Sequence, residues 1–238
     1  MKYNKRDLYN TRGKAELKER LNSEPFERIT TSFYKYTELI NPEEVRDELY
    51  LKFRNLKVLG RIYISVEGIN AQLSVPKHNF DKLLSSIRDY FGDTNLKKAI
   101  QEGKSFYKLT IKVRKELVAY GVQKDTYDMD QVGKHLDAEA YNRAISDPNS
   151  VLVDMRNYYE SEIGKFENAI IPNVETSKEL LPKVKKILAG KEDKQILLYC
   201  TGGIRCEKAS SYLIKNGFKN VNQLEGGIIQ YAHEIKKK

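Results

Sequence analysis

Cysteine is scarce in this chain of 238 residues, since only Cys200 and Cys206 are present. Two thiols are too few for a disulfide framework and too few for a structural zinc site built from cysteines. The three histidines, His78, His135 and His233, do not form a recognisable iron site of two histidines and one carboxylate. A glycine-rich dinucleotide fingerprint is also missing. The sequence therefore predicts no metal site and shows no cofactor motif.

Long apolar runs are missing as well. No stretch approaches the roughly 18 apolar residues that a membrane-spanning helix needs. Residues 1–20 carry lysines and arginines without the apolar segment that follows them in a secretion signal. We therefore expect a soluble protein with no membrane partner, located in the cytoplasm, where cysteines stay reduced.

Tryptophan is absent, but 16 tyrosines and 8 phenylalanines contribute to a hydrophobic fraction of 40%. Such a composition can bury real cores, and the length exceeds the usual about 100 to 150 residues of one domain. The net charge of +9 is uneven: residues 1–120 hold 24 basic and 16 acidic residues, a net +8, and residues 121–238 hold 18 and 17, a net +1. We predict two domains, the first with a polyanionic partner.

The first half alternates between strand and helix patterns. Residues 1–25 are polar and are interpreted as an N-terminal arm, with residues 26–120 as the first domain. The predicted elements are a strand over 26–36, a helix from Pro42 to about Asn55, two strands within 58–75, a helix over 79–91 and a strand near 106–118. This βαββαβ order is that of the ferredoxin-like, or acylphosphatase-like, α+β sandwich, in which two helices cover one face of an antiparallel sheet.

The other face of this sheet is predicted to be open, and the two-residue period of the strands assigns side chains to each face. The inward set is Ile62, Ile64, Val66, Leu109, Ile111 and Val113. The outward set is Arg61, Tyr63, Ser65, Asn70, Gln72, Lys108, Thr110, Lys112 and Arg114. Cations, a ring and amides on one surface favour single-stranded RNA, because they contact phosphates, stack on bases and read base edges. A merely solvated strand face is the alternative.

The second half has a different pattern. Residues 121–133 are polar, contain glycine and aspartate, and are interpreted as a linker. Beyond them, residues 151–154 and 195–199 are short continuous apolar runs, typical of buried parallel strands, with helical patterns between and after them. Residues 134–238 are therefore predicted to form an α/β domain with a mainly parallel sheet.

One segment of this domain carries the motif with the clearest chemistry. Residues 199–210 join a buried strand to a helix, with Cys200 at the strand end, Gly202 and Gly203 allowing a tight curl, and Arg205 entering the helix. Inward N–H groups and the helix dipole stabilise a thiolate at Cys200 and lower its pKa from about 8.5. Cys200 is the predicted nucleophile, in a loop completed by Thr201, Gly202, Gly203, Ile204, Arg205 and Cys206.

The length of this loop separates two chemistries. Cysteine-dependent phosphatases place about five residues between the cysteine and the arginine around a phosphate, whereas four residues separate Cys200 from Arg205. A smaller ring of amides suits a sulfur atom or a persulfide better than a phosphoryl group, so a phosphatase is disfavoured. Cys206 lies in the first helical turn, where it can pack inward, which is favoured, resolve an oxidised Cys200, or assist binding.

Several motifs of the second half resemble a rhodanese domain. They are Asp154 with Arg156, Tyr159 with Glu160, the segments 164–166, 169–170 and 226–228, Pro172 and the loop from Cys200. The resemblance implies structural roles for Asp154, Arg156 and Glu160, as an ion-paired frame under the active loop. The chain departs from the pattern at Lys165, where the family commonly has a histidine.

A narrower resemblance covers residues 26–232. The segments 60–63, 67–72, 112–116 and 199–210 together are similar to the oxygen-dependent tRNA uridine hydroxylases. This resemblance implies hydroxylation of the wobble uridine of tRNA to 5-hydroxyuridine, with molecular oxygen as co-substrate and Cys200 required. The target base would reach Cys200 between the domains. Members of that family continue into a cysteine-bearing C-terminal tail, whereas this sequence ends with Lys236, Lys237 and Lys238.

Two other functions stay open on the sequence alone. A rhodanese-type sulfurtransferase, with thiosulfate or a persulfide as donor, would use the same cysteine. A tRNA-binding adaptor without catalysis would need only the basic first domain. The sequence leaves the oligomeric state open.

Overall fold

The computed structural model describes residues 5–99 and 104–235 of the chain. The chain divides into two compact units, residues 1–117 and residues 118–238. Residues 1–4 of the predicted arm and the terminal segment 236–238 lie outside the described residues. In the described part of the chain, every helix is too short or too polar to cross a membrane.

The first unit follows the predicted alternation of strands and helices. Its elements are α1 (Lys14–Asn22), β1 (Arg28–Tyr36), α2 (Pro42–Asn55), β2 (Leu59–Ser65), β3 (Gly68–Pro76), α3 (Phe80–Phe91), β4 (Lys97–Lys98) and β5 (Leu109–Val113), with 3-10 turns at Lys5–Leu8 and Lys77–Asn79. Pro42 opens α2, where its fixed φ and missing N–H cost nothing. The acylphosphatase-like fold class is confirmed.

The sheet of the first unit differs from the prediction in two details. It has five strands in the order β4-β1-β3-β2-β5, and it is mixed rather than antiparallel because β5 pairs parallel with β2. The two-residue β4 takes the edge beside β1, so the segment predicted as one long last strand joins the opposite edge. It is also shorter than predicted, covering Leu109–Val113.

The inward pattern holds along most of β2 and fails at its end. Ile62 and Ile64 are fully buried in the core, together with Leu49 and Phe53 of α2. The period of two predicts Ser65 outward and Val66 inward, but Ser65 is fully buried and Val66 is 47% exposed. The strand ends at Ser65, whose Oγ accepts a hydrogen bond from the N–H of Glu67 at 3.0 Å. The turn therefore replaces the alternation at these two positions.

The polar N-terminal segment, interpreted as an arm, has buried side chains. It contains the helix α1, in which Leu17 and Leu21 are buried. Leu8 is buried in the core of the first unit. Three leucines in a highly charged segment are too weak a periodic signal to predict core packing.

The second unit contains a four-stranded, fully parallel sheet in the order β6-β9-β8-β7. Its elements are β6 (Lys134–Leu136), α4 (Ala138–Ile145), β7 (Ser150–Asp154), α5 (Tyr158–Ile163), α6 (Ser177–Ile187), β8 (Gln195–Tyr199), α7 (Ile204–Lys215), β9 (Asn220–Leu224) and α8 (Gly227–Ile235). The predicted rhodanese-type α/β architecture is confirmed, with buried strands at both apolar runs.

The predicted linker is packed into the second unit. Tyr127 is buried in the core of this unit together with Val118 and Tyr120, which precede the predicted linker. The hydroxyl of Ser211 on α7 accepts a hydrogen bond from the N–H of Asp128 at 2.7 Å. The segment therefore covers the helix that follows the cysteine, which its polar composition did not indicate.

Candidate active site

The candidate site is the cysteine loop, residues 200–205, between β8 and α7. Cys200 is the first residue after β8 and has no exposed surface. Gly203 precedes α7 with a φ of 100°, in the left-handed region that glycine tolerates. This conformation turns the N–H of Gly203 onto the sulfur of Cys200, at 3.1 Å. The helix thus begins with a donor aimed at the sulfur.

The surroundings of Cys200 favour the thiolate. Burial of the sulfur opposes ionisation and on its own raises the pKa. A hydrogen bond from the thiol of Cys206, the positive charge of Arg205, and the N–H groups of Cys206 and Gly203 outweigh burial and lower the pKa of Cys200 from its ordinary value to about 5. The thiolate, which is the nucleophilic form, is therefore dominant at neutral pH.

Cys206 is placed to act as a hydrogen-bond donor. It lies in the first turn of α7, is fully buried, and packs in the same core cluster as Cys200. Burial, followed by the hydrogen bond to the Cys200 sulfur and the negative charge of that sulfur, raises the pKa of Cys206 well above its ordinary value. Its proton is therefore retained and shared with Cys200. The sequence favoured inward packing of Cys206. In the structure, its thiol also contacts the thiolate of Cys200.

Arg205 is held by a carboxylate from another element. Its guanidinium donates two hydrogen bonds to Glu160 of α5, at 2.7 and 2.8 Å, and one to Thr201 Oγ1 at 2.9 Å. The hydroxyl of Thr201 also donates to Glu160, at 2.6 Å. Burial opposes ionisation of Glu160, but these donors outweigh it and lower the pKa of its carboxyl to about 2. Glu160 therefore remains charged and fixes both loop residues.

Asp154 and Arg156 form a separate ion pair. The Asp154 carboxylate is fully buried and accepts hydrogen bonds from Arg156 Nη2 at 2.7 Å and from Ser161 Oγ at 2.8 Å. Arg156 Nη2 also donates to the carbonyl of Gly164 at 2.6 Å. The sequence grouped Glu160 with this pair, whereas the contacts of Glu160 are with the cysteine loop. The pair joins the end of β7 to Ser161 of α5 and to Gly164, which follows that helix.

The carbonyl side of the loop rests on the start of α8. The N–H of Ile228 donates to the carbonyl of Cys200 at 2.9 Å, and that of Ile229 donates to the carbonyl of Thr201 at 3.2 Å. Gly227 has a φ of +67°, and a Cβ there would lie 2.5 Å from the Cys200 oxygen. Only glycine fits this close approach without strain. The loop amides are thereby left to point toward the sulfur.

One contact of the site had no sequence signal. The hydroxyl of Tyr120 donates to the carbonyl of Arg205 at 3.2 Å, and the ring is buried beside Cys200 and Cys206. Tyr120 lies 80 positions before the cysteine, at the end of the segment that the sequence assigns to the first domain. No local pattern could connect it with the loop.

The sulfur must be uncovered before it can react. Cys200 is 0% exposed, so a substrate reaches it only after the loop or its cover moves. The outer side of the loop is open, because a Cβ built on Gly202 would meet nothing within 4 Å. The loop therefore has free space at Gly202.

The predicted RNA-contacting residues lie together on the open face of the first unit's sheet. Arg61 pairs with Gln72 across β2 and β3, and Tyr63 pairs with Asn70. The parallel pairing with β5 sets Tyr63 beside Lys112. The guanidinium of Arg114, also predicted, lies 5.2 Å from the Tyr63 ring centre, in cation–π geometry, and Lys108, just before β5, is exposed.

The open face is wider than the sequence predicted. Tyr34 of β1 is the partner of Asn70, and Ser32 is the partner of Gln72. Lys97 of β4 pairs with Ser32, and its ammonium lies 5.7 Å from the Tyr34 ring centre. The alternation within β1 could have placed Tyr34 on this face, because residues 31 and 33 are buried on the other. A second aromatic–cation contact therefore extends the surface.

Metal ligands are not gathered in the described part of the chain. Among residues 5–99 and 104–235, no three histidine, cysteine, aspartate or glutamate side chains are grouped so that they could hold an ion.

Comparison with known proteins identifies both units. The family profile described as "UPF0176 acylphosphatase like domain" matches residues 28–117, and the profile of the rhodanese-like domain matches residues 137–234. A tRNA uridine(34) hydroxylase of Yersinia enterocolitica is 46% identical over 97% of this chain and 67% of its own length. The chain belongs to the tRNA uridine(34) hydroxylase family.

Other members of this hydroxylase family are similarly close. The relative from Leptospira interrogans is 53% identical over 98% of this chain, and that from Photorhabdus laumondii is 47% identical over 97%. The chain spans 65% and 66% of the length of these two hydroxylases. The resemblance predicted from the sequence motifs is confirmed at the level of the family.

Proposed function

We propose that this chain hydroxylates uridine 34 of tRNA to 5-hydroxyuridine, with Cys200 as the catalytic nucleophile. The observation that carries the proposal is the thiolate of Cys200, whose pKa is lowered to about 5 by donors from its own loop and helix. This thiolate occurs in a chain that is 46% to 53% identical to tRNA uridine(34) hydroxylases over nearly all of its length. Nucleophilic catalysis requires such a thiolate, whereas binding of tRNA alone does not.

The proposed reaction replaces a carbon-bound hydrogen of the uracil ring by a hydroxyl group. Molecular oxygen would be the oxidant: one of its atoms enters the product, and the other leaves as water after taking up two protons and two electrons from an external two-electron reductant. The family implies this use of oxygen, and the chain contributes the nucleophile. Because the thiol of Cys200 is already ionised at neutral pH, it requires no separate base to activate it. Arg205 and Glu160 would hold the loop in the conformation that keeps Cys200 ionised.

The first unit is proposed to bind the tRNA. Its open face carries Arg61, Lys108, Lys112 and Arg114 beside exposed amides and tyrosine rings, a combination that suits an unpaired RNA strand. Because tRNA is modified inside the cell and both cysteines are free thiols, we place the protein in the cytoplasm.

A sulfurtransferase is the second candidate. The rhodanese-like profile covers residues 137–234, and a short loop of donors around one sulfur would also hold a persulfide. The basic face of the first unit favours a nucleic acid acceptor over a small thiol.

Nucleoside mass spectrometry distinguishes these candidates. We expect tRNA from cells that lack the protein to lose 5-hydroxyuridine and the wobble nucleosides made from it. Re-expression of this chain should restore them. Loss of a thiolated nucleoside with 5-hydroxyuridine unchanged would replace the hydroxylase by the sulfurtransferase.

A further inference from the structure

The exposed large apolar side chains of the second unit lie on α5 and α8, the two helices that hydrogen-bond to the cysteine loop. The large hydrophobic residues that are exposed in its described part are Tyr158, Tyr159, Ile163, Ile229 and Ile235. The first three lie on α5, which reaches the loop through Glu160, and Ile229 bonds the loop directly through its N–H. Exposed apolar side chains beside a reactive group can form a contact surface, and in this set the two tyrosines are the only rings.

Tyr159 is tied to the loop by consecutive hydrogen bonds. The amide of Asn157 donates to the Tyr159 hydroxyl at 2.8 Å. The backbone N–H of Asn157 donates to Glu160 at 3.2 Å, and Glu160 accepts from Thr201 and Arg205 of the loop. Asn157 and Glu160 form a capping box, and this box begins α5. The Tyr159 hydroxyl is therefore linked through Asn157 and Glu160 to the cysteine loop, although 54% of the residue is exposed.

Tyr158 and Tyr159, the tyrosine pair, offer free ring surface. Their ring centres are 5.8 Å apart and the planes meet at 81°, an edge-to-face arrangement. Such an arrangement covers one ring face of the four, and Tyr158 is 48% exposed. Flat, rigid and half-exposed rings are the surface on which unpaired nucleobases stack.

We propose that the tyrosine pair stacks with unpaired nucleobases next to uridine 34 and so positions that uridine at Cys200. The inference rests on the proposed function and adds the means by which the second unit holds the anticodon loop. A small anion such as thiosulfate would gain nothing from two exposed rings. Phosphate groups would be met by cations rather than by tyrosines, so the contact is with the bases. Tyr158 and Tyr159 are positioning residues and take no part in the chemistry.

The test uses the full chain and an anticodon stem-loop RNA with 5-bromouridine next to uridine 34. Irradiation should crosslink the RNA to the peptide that contains Tyr158 and Tyr159. Tyr158→Ala combined with Tyr159→Ala should remove this crosslink and weaken affinity by at least about fivefold, and up to about 150-fold for one stacked base. Tyr158→Phe combined with Tyr159→Phe should keep both signals within a few-fold, because the rings remain.

Two controls separate stacking from structural damage. Ile163→Ala removes a 90% exposed apolar side chain from the same helix without removing a ring, and affinity should be unchanged. The rate and pH dependence of Cys200 alkylation should match wild type in every variant, which shows that the loop is intact. Equal weakening by Ile163→Ala would assign the patch to a general apolar contact with a protein and overturn the proposal.

The outcomes also separate this inference from the proposed function. A crosslink to the tyrosine pair with no hydroxylated uridine in cells would leave the stacking surface standing without the hydroxylase. Hydroxylated uridine with wild-type affinity in the double alanine variant, or with no crosslink in the wild-type chain, would overturn the stacking surface alone.

Discussion

The thiol of Cys206 donates a hydrogen bond to the sulfur of Cys200, six positions earlier in the chain. The two cysteines therefore have opposite protonation behaviour in one buried cluster. The pKa of Cys200 is lowered to about 5, and the pKa of Cys206 is raised well above its ordinary value. One residue supplies the charge and the other a proton that stabilises it.

Alkylation of Cys200 should depend on pH through ionisation of its thiol. The rate of Cys200 alkylation by iodoacetamide should rise as pH rises through about 5 and then level off, because the thiolate is the reactive form. In Cys206→Ala, which leaves Cys200 as the single cysteine, the midpoint should move to higher pH because a donor is removed. Cys206→Ser keeps a donor and should move it less. A wild-type midpoint near the ordinary value of about 8.5 would contradict the account of the loop.

The loop was the part of the site most accessible to sequence reasoning. Residues 200–206 are contiguous, so strand, glycines, arginine and helix could be interpreted together. The pairing of Arg205 with Glu160 joins positions 45 apart, and nothing in the local pattern separates Glu160 from Asp154 and Arg156. Tyr120 is further still. Contacts of this kind depend on how α5 and the segment after residue 117 pack, which local patterns do not encode.

The open face was predictable for a different reason. A strand keeps its period of two whatever it packs against, so Arg61, Tyr63, Asn70 and Gln72 could be assigned to one face in advance. The same rule failed at Ser65 and Val66, where a turn ends the strand. The parallel pairing of β5 was also beyond reach, because strand partners and edges are chosen by long-range packing.

Breaking the buried pair of Asp154 and Arg156 should strongly destabilise the second unit. Asp154→Asn leaves the guanidinium buried without its counter-charge, and we expect a loss of about 3 to 5 kcal/mol in the free energy of unfolding. Urea unfolding followed by circular dichroism measures this free energy. The method does not depend on tryptophan fluorescence, and the chain has no tryptophan.

A matched control is available on the surface. Asp193 forms an ion pair of the same 2.7 Å length with Lys219, but both side chains are largely exposed. Asp193→Asn should therefore leave the urea midpoint unchanged within error. An equally stable Asp154→Asn variant would show that the Asp154–Arg156 pair does not support the fold.

Charge on the open face should control tRNA affinity. Lys112→Ala combined with Arg114→Ala should weaken binding and lower the slope of log affinity against log salt by about 0.7 to 0.9 for each phosphate that is no longer bound. Alkylation of Cys200 should be unaffected, because neither residue belongs to the cysteine loop. Titrations of tRNA at several salt concentrations measure both quantities.

The control variant removes the same number of positive charges from helix α3 instead of from the open face. Lys82→Ala combined with Arg88→Ala removes two cations from α3, which covers the other face of the sheet. We expect a smaller loss of affinity and a smaller change of slope. Equal effects in both double variants would mean that total charge, rather than the open face, binds the tRNA.

The most direct test of the account is the nucleoside content of tRNA from cells that contain only the Cys200→Ser form of this chain. A hydroxyl preserves the packing of Cys200 but does not ionise at neutral pH, so 5-hydroxyuridine and the nucleosides made from it should disappear, while tRNA affinity stays within a few-fold. Cys206→Ser should retain most of the modification, and loss in both variants would indicate a mechanism that uses both thiols. Undiminished 5-hydroxyuridine in the Cys200→Ser cells would contradict the central claim that this thiolate performs the reaction.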